Sequence, residues 1–129
     1  MRMDIGSNYT IVEAVASASE STETTYSTAI DHADGPCGAF FIACPTLDTS
    51  FISTLQHCAT NSGTPGDWTD EVAGAGNDVS VTLTVSGDTD QINVPNPRNR
   101  FSRIKTVQGG TSVFGITSII GPLRTLNAQ

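Results

Sequence analysis

A chain of 129 residues, 37% hydrophobic and 15% charged, is sized for one compact domain, which excludes a multidomain enzyme. Thirteen acids against six Lys and Arg give a net charge of −7, the wrong sign for nucleic acid or an anionic membrane. No apolar run reaches about 18 residues, and the opening Met1-Arg2-Met3-Asp4-Ile5 lacks the apolar core of about 7–15 residues that a secretion signal needs, so neither a membrane span nor a signal is expected.

Residues 1–8 read as an irregular arm ahead of a single β domain, 9–129. Eighteen Thr and 13 Ser set the class, because a β-branched hydroxyl residue suits a pleated, half-exposed surface, while long helix formers are sparse. Tyr9–Val15 mixes apolar and polar positions without a clear period. A polar Ser/Thr loop follows, and Glu23–Ile30 has enough β-branched and aromatic character for a strand, ended by the turn Asp31-His32-Ala33-Asp34-Gly35-Pro36. Gly38–Cys44 is a continuous apolar run closed by Pro45, the pattern of a strand covered on both faces.

Thr49–Thr60 reads as a strand, Asn61–Gly66 as a loop, and the lone Trp68 behind it as a core residue. Val79–Ser86 alternates without error, placing Val79, Val81, Leu83 and Val85 on one face, before a turn at Gly87–Asp90. Val94-Pro95-Asn96-Pro97 belongs to an edge or loop, since each proline removes a ladder donor. Arg100–Val107 and Ser112–Ile120 read as a hairpin about Gly109-Gly110, stopped by Gly121-Pro122. About seven to eight short antiparallel strands with frequent turns predict an all-β sandwich or jelly roll.

Charge is segregated: residues 1–90 carry −12 and residues 91–129 carry +5, a division suited to layered or self-complementary contact. Arg98, Arg100 and Arg103 form the best functional lead, because guanidinium groups pair bidentately with carboxylates and are favoured at interfaces. No nucleophile, zinc or phosphate-loop motif is present, and the chain reads as a non-enzyme without cofactor or metal. Asp67, Asp70 and Glu71 read as a solvated turn, and Asp88-Thr89-Asp90 as a turn and not a Ca²⁺ loop. His32 and His57 lack a neighbouring nucleophile motif, and Cys37, Cys44 and Cys58 read as small buried hydrophobes.

Two segments resemble the small decoration, or cement, proteins of tailed-bacteriophage capsids. One is Thr54-Leu55-Gln56-His57-Cys58, a Gly-rich loop, then Asp67-Trp68-Thr69-Asp70. The other is Asn99–Val107, Gly109-Gly110-Thr111 and Phe114–Leu123. The stretch 17–28 and Pro95-Asn96-Pro97 depart from the pattern. The resemblance implies a jelly-roll or sandwich module, made in the host cytoplasm, that forms a homodimer or homotrimer and binds the major capsid protein on the outer surface of the virion. Arg98, Arg100 and Arg103 would then face capsid or sister-subunit carboxylates, and the arm residues Met1, Arg2, Met3, Asp4 and Ile5 would order on contact. The alternative is a carbohydrate-binding sandwich with Trp68 and Tyr26 as sugar platforms and loop 67–71 holding hydroxyls or Ca²⁺.

Overall fold

A computed structural model describes residues 9–20, 23–73, 76 and 79–121. Ten strands fill most of that length: β1 (Thr10–Glu20), β2 (Thr24–Tyr26), β3 (Ile30–Asp31), β4 (Cys37–Thr46), β5 (Ser50–Cys58), β6 (Thr69–Asp70), β7 (Ser80–Leu83), β8 (Asp88–Val94), β9 (Phe101–Gly109) and β10 (Ser112–Gly121). Among the described residues the helical content is a single 3-10 turn at Pro65–Asp67. Sheet A runs β1-β10-β4-β8, and sheet B runs β2-β9-β5-β6, with β3 also on β9 and β7 also on β5. All pairings are antiparallel. With the two-residue strands β3 and β6 set aside, the other eight, lettered B to I in chain order, give sheets B-I-D-G and C-H-E-F. That is the jelly-roll winding of two Greek keys into a double sheet.

Side-chain alternation brings one face of each sheet inward. Sheet A contributes Phe40, Ile42 and Cys44 from β4, Ile92 and Val94 from β8, and Phe114, Ile116 and Ile120 from β10. Sheet B answers with Phe51, Leu55, Leu83 and Ile104. Phe51 and Phe114 meet across the sandwich edge to face, with centroids 5.0 Å apart and planes at 74°, the arrangement favoured by the ring quadrupoles. Sheet B also turns hydroxyls inward, and these satisfy one another: Ser53 Oγ lies 2.9 Å from Thr106 Oγ1.

The sandwich agrees with the sequence reading, and several local features differ for identifiable reasons. β1 continues to Glu20 into the expected polar loop, because β10 supplies a ladder for its backbone as far as Ser112. The expected strand 23–30 is split into β2 and β3 by Ser27, whose hydroxyl accepts the Ile104 amide at 2.8 Å and so stands in for a ladder carbonyl. Val85 is not on the core face with Val79, Val81 and Leu83 but is 61% exposed. The Asp88 carboxylate takes up the Thr84 and Val85 amides and turns the chain before Gly87, which adopts φ 92°. The expected turn at 87–90 therefore moves back, and β8 begins at Asp88. β9 and β10 do not form a hairpin: β9 pairs in sheet B and β10 in sheet A, so Gly109-Gly110 is a crossover between layers. Gly110 has φ 74°, and a Cβ there would collide with the Asp48 carboxylate that receives the Thr111 amide.

Candidate interaction surface

One end of the outer face of sheet B, around Arg103, is covered by its own chain, while Ile52 at the other end is 42% exposed. Alternation on β9 sends Ser102, Ile104 and Thr106 inward and Arg103 outward, yet Arg103 is only 6% exposed. Loop 59–68 folds back over the face, and the guanidinium is clamped between the Tyr26 ring at 4.1 Å and the Trp68 ring at 4.2 Å. Its Nε donates to Gln56 Oε1 at 2.9 Å, and Gln56 Nε2 donates to Asp70 Oδ1 at 2.8 Å. Arg103 Nη2 is buried without a hydrogen-bond partner. Burial holds the Arg103 guanidinium below the usual arginine value, since desolvation disfavours the charged form.

This corrects the expectation for Arg103: its charge is stacked inside the molecule and does not face a partner's carboxylate. Arg98 and Arg100 do lie on the surface, and each already holds a carboxylate of the same chain. Arg98 Nε is 2.7 Å from Glu71 Oε1. Arg100 Nε and Nη2 donate to Asp31 Oδ1 and Oδ2, both at 2.9 Å. The arm residues Met1, Arg2, Met3, Asp4 and Ile5 lie outside the described residues.

Trp68 is likewise corrected as a sugar platform: it is buried, one face packs on Arg103, and its Nε1–H donates to Ser62 O at 3.0 Å. The acids of loop 67–71 are divided among separate partners: Asp67 accepts from Ser62, Asp70 from Gln56, and Glu71 from Arg98. His57 sits 3.6 Å from the same Glu71 and 2.6 Å from Asn99 Nδ2, measured from its Nε2 and Nδ1 respectively. His32 Nε2 lies 2.9 Å from Ser102 Oγ, but that serine is fully buried. The three thiols are free. Cys44 and Cys58 are buried, Cys37 is half-buried, and burial pushes the Cys44 thiol up. Among the described residues no three His, Cys, Asp or Glu group to hold a metal ion.

Sheet A has no such cover among the described residues. Its four strands contain four acids and no Lys or Arg. Two outward rows cross it, matched strand to strand: Glu13, Thr117, Phe41 and Gln91 in one, and Gly115, Ala43 and Thr89 in the other. The second row has a glycine and a methyl where the first has Thr117 and Phe41, so the surface is hollowed beside Phe41. Three register slips coincide there, two in the β1 pairing at Glu13/Val15 and Val15/Ala18 and one in the β4 pairing at Val113/Gly115. Bulges of this kind bend a sheet and recur next to functional sites. Pro45 sits beside the last slip, which is how a proline is accommodated within β4.

The product is a trough of about 530 Å³ spanning all four strands, with Phe41, Ala43 and Pro45 as its outward apolar lining and Glu13 and Gln91 at the two ends of the outward row. Phe41 is 44% exposed, although it lies in a strand between Phe40 and Ile42, both buried. The sequence reading missed this surface because Gly38–Cys44 is apolar throughout. Only the pairing shows which of its aromatics points out, and only the bulges show that the face is concave.

No protein-family model matches the chain, and no curated protein matches it. Among solved structures it is similar to a crystal structure of PirA, at 16% identity and TM-score 0.38 over 88% of this chain and 84% of that one. It is also similar to a chain from the Bacillus endospore appendages, a family of disulfide-linked pili, at 13% identity and TM-score 0.41 over 94% of this chain and 96% of that one. At these values the likeness carries no functional information.

Proposed function

We propose that this chain is a capsid decoration protein, a non-catalytic module that binds the major capsid protein on the outer surface of a phage head and reinforces contacts between capsomers. The observation that carries the reading is the bare outer face of sheet A, where Phe41 stands exposed over an apolar trough. Contiguous apolar surface in a concave, polar-rimmed hollow favours contact with a protein partner. The sequence resemblance of segments 54–70 and 99–123 to capsid cement proteins supplies the partner. Assembly of the module as a homodimer or homotrimer on the shell belongs to the same reading, because each copy then adds a modest contact that repetition multiplies.

Co-sedimentation with assembled capsids tests it. The wild-type protein is expected to pellet with shells, and Phe41→Ser to remain in the supernatant while keeping its fold. Wild-type protein that stays in the supernatant with every capsid offered overturns the reading.

A further inference from the structure

We propose that the slot between the free edge of β1 and strand β3 is the seat of residues 1–5 of the same chain, added antiparallel to β1 as a fifth strand of sheet A. The slot, of about 380 Å³, opens between the two sheets, with Thr10, Val12 and Ile120 on the sheet A side and Ala29, Ile30 and Ala33 across it. Val12 shows that its cover is incomplete. It pairs with Ser118 in the row that faces sheet B, and Ser118, Ile120 and Ile30 are all buried, yet Val12 is 38% exposed. Among the described residues β10 is the only strand paired with β1, so the opposite edge of β1 is a template for a further strand. That opening has a definite end: the Thr28 amide donates to Ala14 O at 2.9 Å, which leaves Thr10–Glu13 for the added strand.

Residues 1–8 lie outside the described residues, and it is their sequence that fits the seat. Met1-Arg2-Met3-Asp4-Ile5 alternates apolar and charged at every step, the period of a strand with one face buried. Gly6-Ser7, between this run and β1, has the chemistry of a hairpin turn. A reversal there sets Met3 opposite Thr10 and Met1 opposite Val12. Opposed side chains share a face, so both methionines enter the slot, and the five residues stop clear of the occupied Ala14 carbonyl. The same register sets Arg2 opposite Ile11 on the outer face, where its stem covers a side chain that is 60% exposed. Its guanidinium then reaches the diagonal position, Glu13, with opposite charge. A slip of one residue would turn both methionines to solvent.

The test is NMR on the full chain with the methyl groups of Met, Val and Ile labelled with ¹³C, which is unambiguous at this end because Met1 and Met3 are the only methionines. Nuclear Overhauser contacts are expected from both methionine methyls to Val12 and Ile30. Met3→Asp should abolish those of Met1, while Asp4→Asn, a change on the outer face, should leave them in place. Methionine signals without contact to Val12 or Ile30 overturn the inference, and so do Met1 contacts that survive Met3→Asp. A mixture of labelled and unlabelled protein, read with isotope filtering, separates two sources of the strand. Contacts that run between molecules would give the slot to the arm of a second copy, which overturns the assignment to the same chain. The contacts are read without capsids, so the seat and the decoration reading can each fail while the other stands.

Discussion

The outer face of sheet B is closed by its own chain around Arg103 and open only beyond it, at Ile52, whereas no described segment returns over the outer face of sheet A. On sheet B a loop carrying Trp68 returns across the strands, and Arg103 is stacked between two rings at 4.1 and 4.2 Å. On sheet A no segment of the described chain returns, and Phe41 stays 44% exposed over a trough of about 530 Å³. The same β alternation thus yields an outward arginine held by its own chain and an outward phenylalanine left 44% exposed. Cations cluster at interfaces often enough that the arginine stretch is the natural first choice from sequence. The structure separates charge that is already employed from apolar surface that is not.

Substitutions that break each face in turn sharpen the contrast. The largest effect is expected where the sheets meet: Phe114→Ala should cost about 3–5 kcal/mol in chemical denaturation, as large-to-small core changes do. Arg103→Ala should cost about 2 kcal/mol, from two stacked rings and a Gln56 oxygen left without its donor, and the emission of the buried Trp68 should move to the red relative to the wild type. Next comes the hydroxyl pair on the inner face of sheet B. Ser53→Ala or Thr106→Val alone should cost about 1–2 kcal/mol, and the double variant less than the sum, because the second change removes the group left unpaired by the first. Phe41→Ser should cost about 1–2 kcal/mol, from the covered part of the ring and the weaker strand preference of serine, while leaving the protein folded and abolishing capsid binding.

The smallest expected effect is electrostatic. The Arg100 guanidinium holds the Asp31 carboxyl below its usual value. A depressed carboxylate contributes stability that is fully present above its unfolded pKa, about 3.9, and is lost as pH falls through the lower folded value. The difference in melting temperature between wild type and Asp31→Asn should therefore be small at neutral pH and vanish in acid. A difference that persists unchanged at low pH would assign it to packing.

The fold was largely legible in the sequence. The Thr-rich composition, the alternation through Leu83 and the Pro95–Pro97 break read correctly as an all-β sandwich, because each is a local consequence of backbone geometry. What could not be read was local structure decided by distant partners. Ser27 splits a strand only because Ile104 lies opposite, and Gly109-Gly110 becomes a crossover only because β9 and β10 find partners in different layers. Arg103 is the same lesson at the candidate site. Its neighbours in sequence describe an exposed basic edge, while the rings that bury it come from positions 26 and 68. The trough depends on three register slips meeting around Gly115, which single-strand patterning does not encode.

The central claim is that sheet A, and not sheet B, faces the partner. Each outer face carries one exposed aromatic, Phe41 on sheet A and Tyr26 on sheet B at 37% exposure. Hydroxyl-radical footprinting of the protein alone and on capsids, read out by mass spectrometry, compares them in one sample. The account predicts that Phe41 loses most of its labelling on the shell and Tyr26 keeps its own. Protection of Tyr26 with Phe41 still labelled would contradict it.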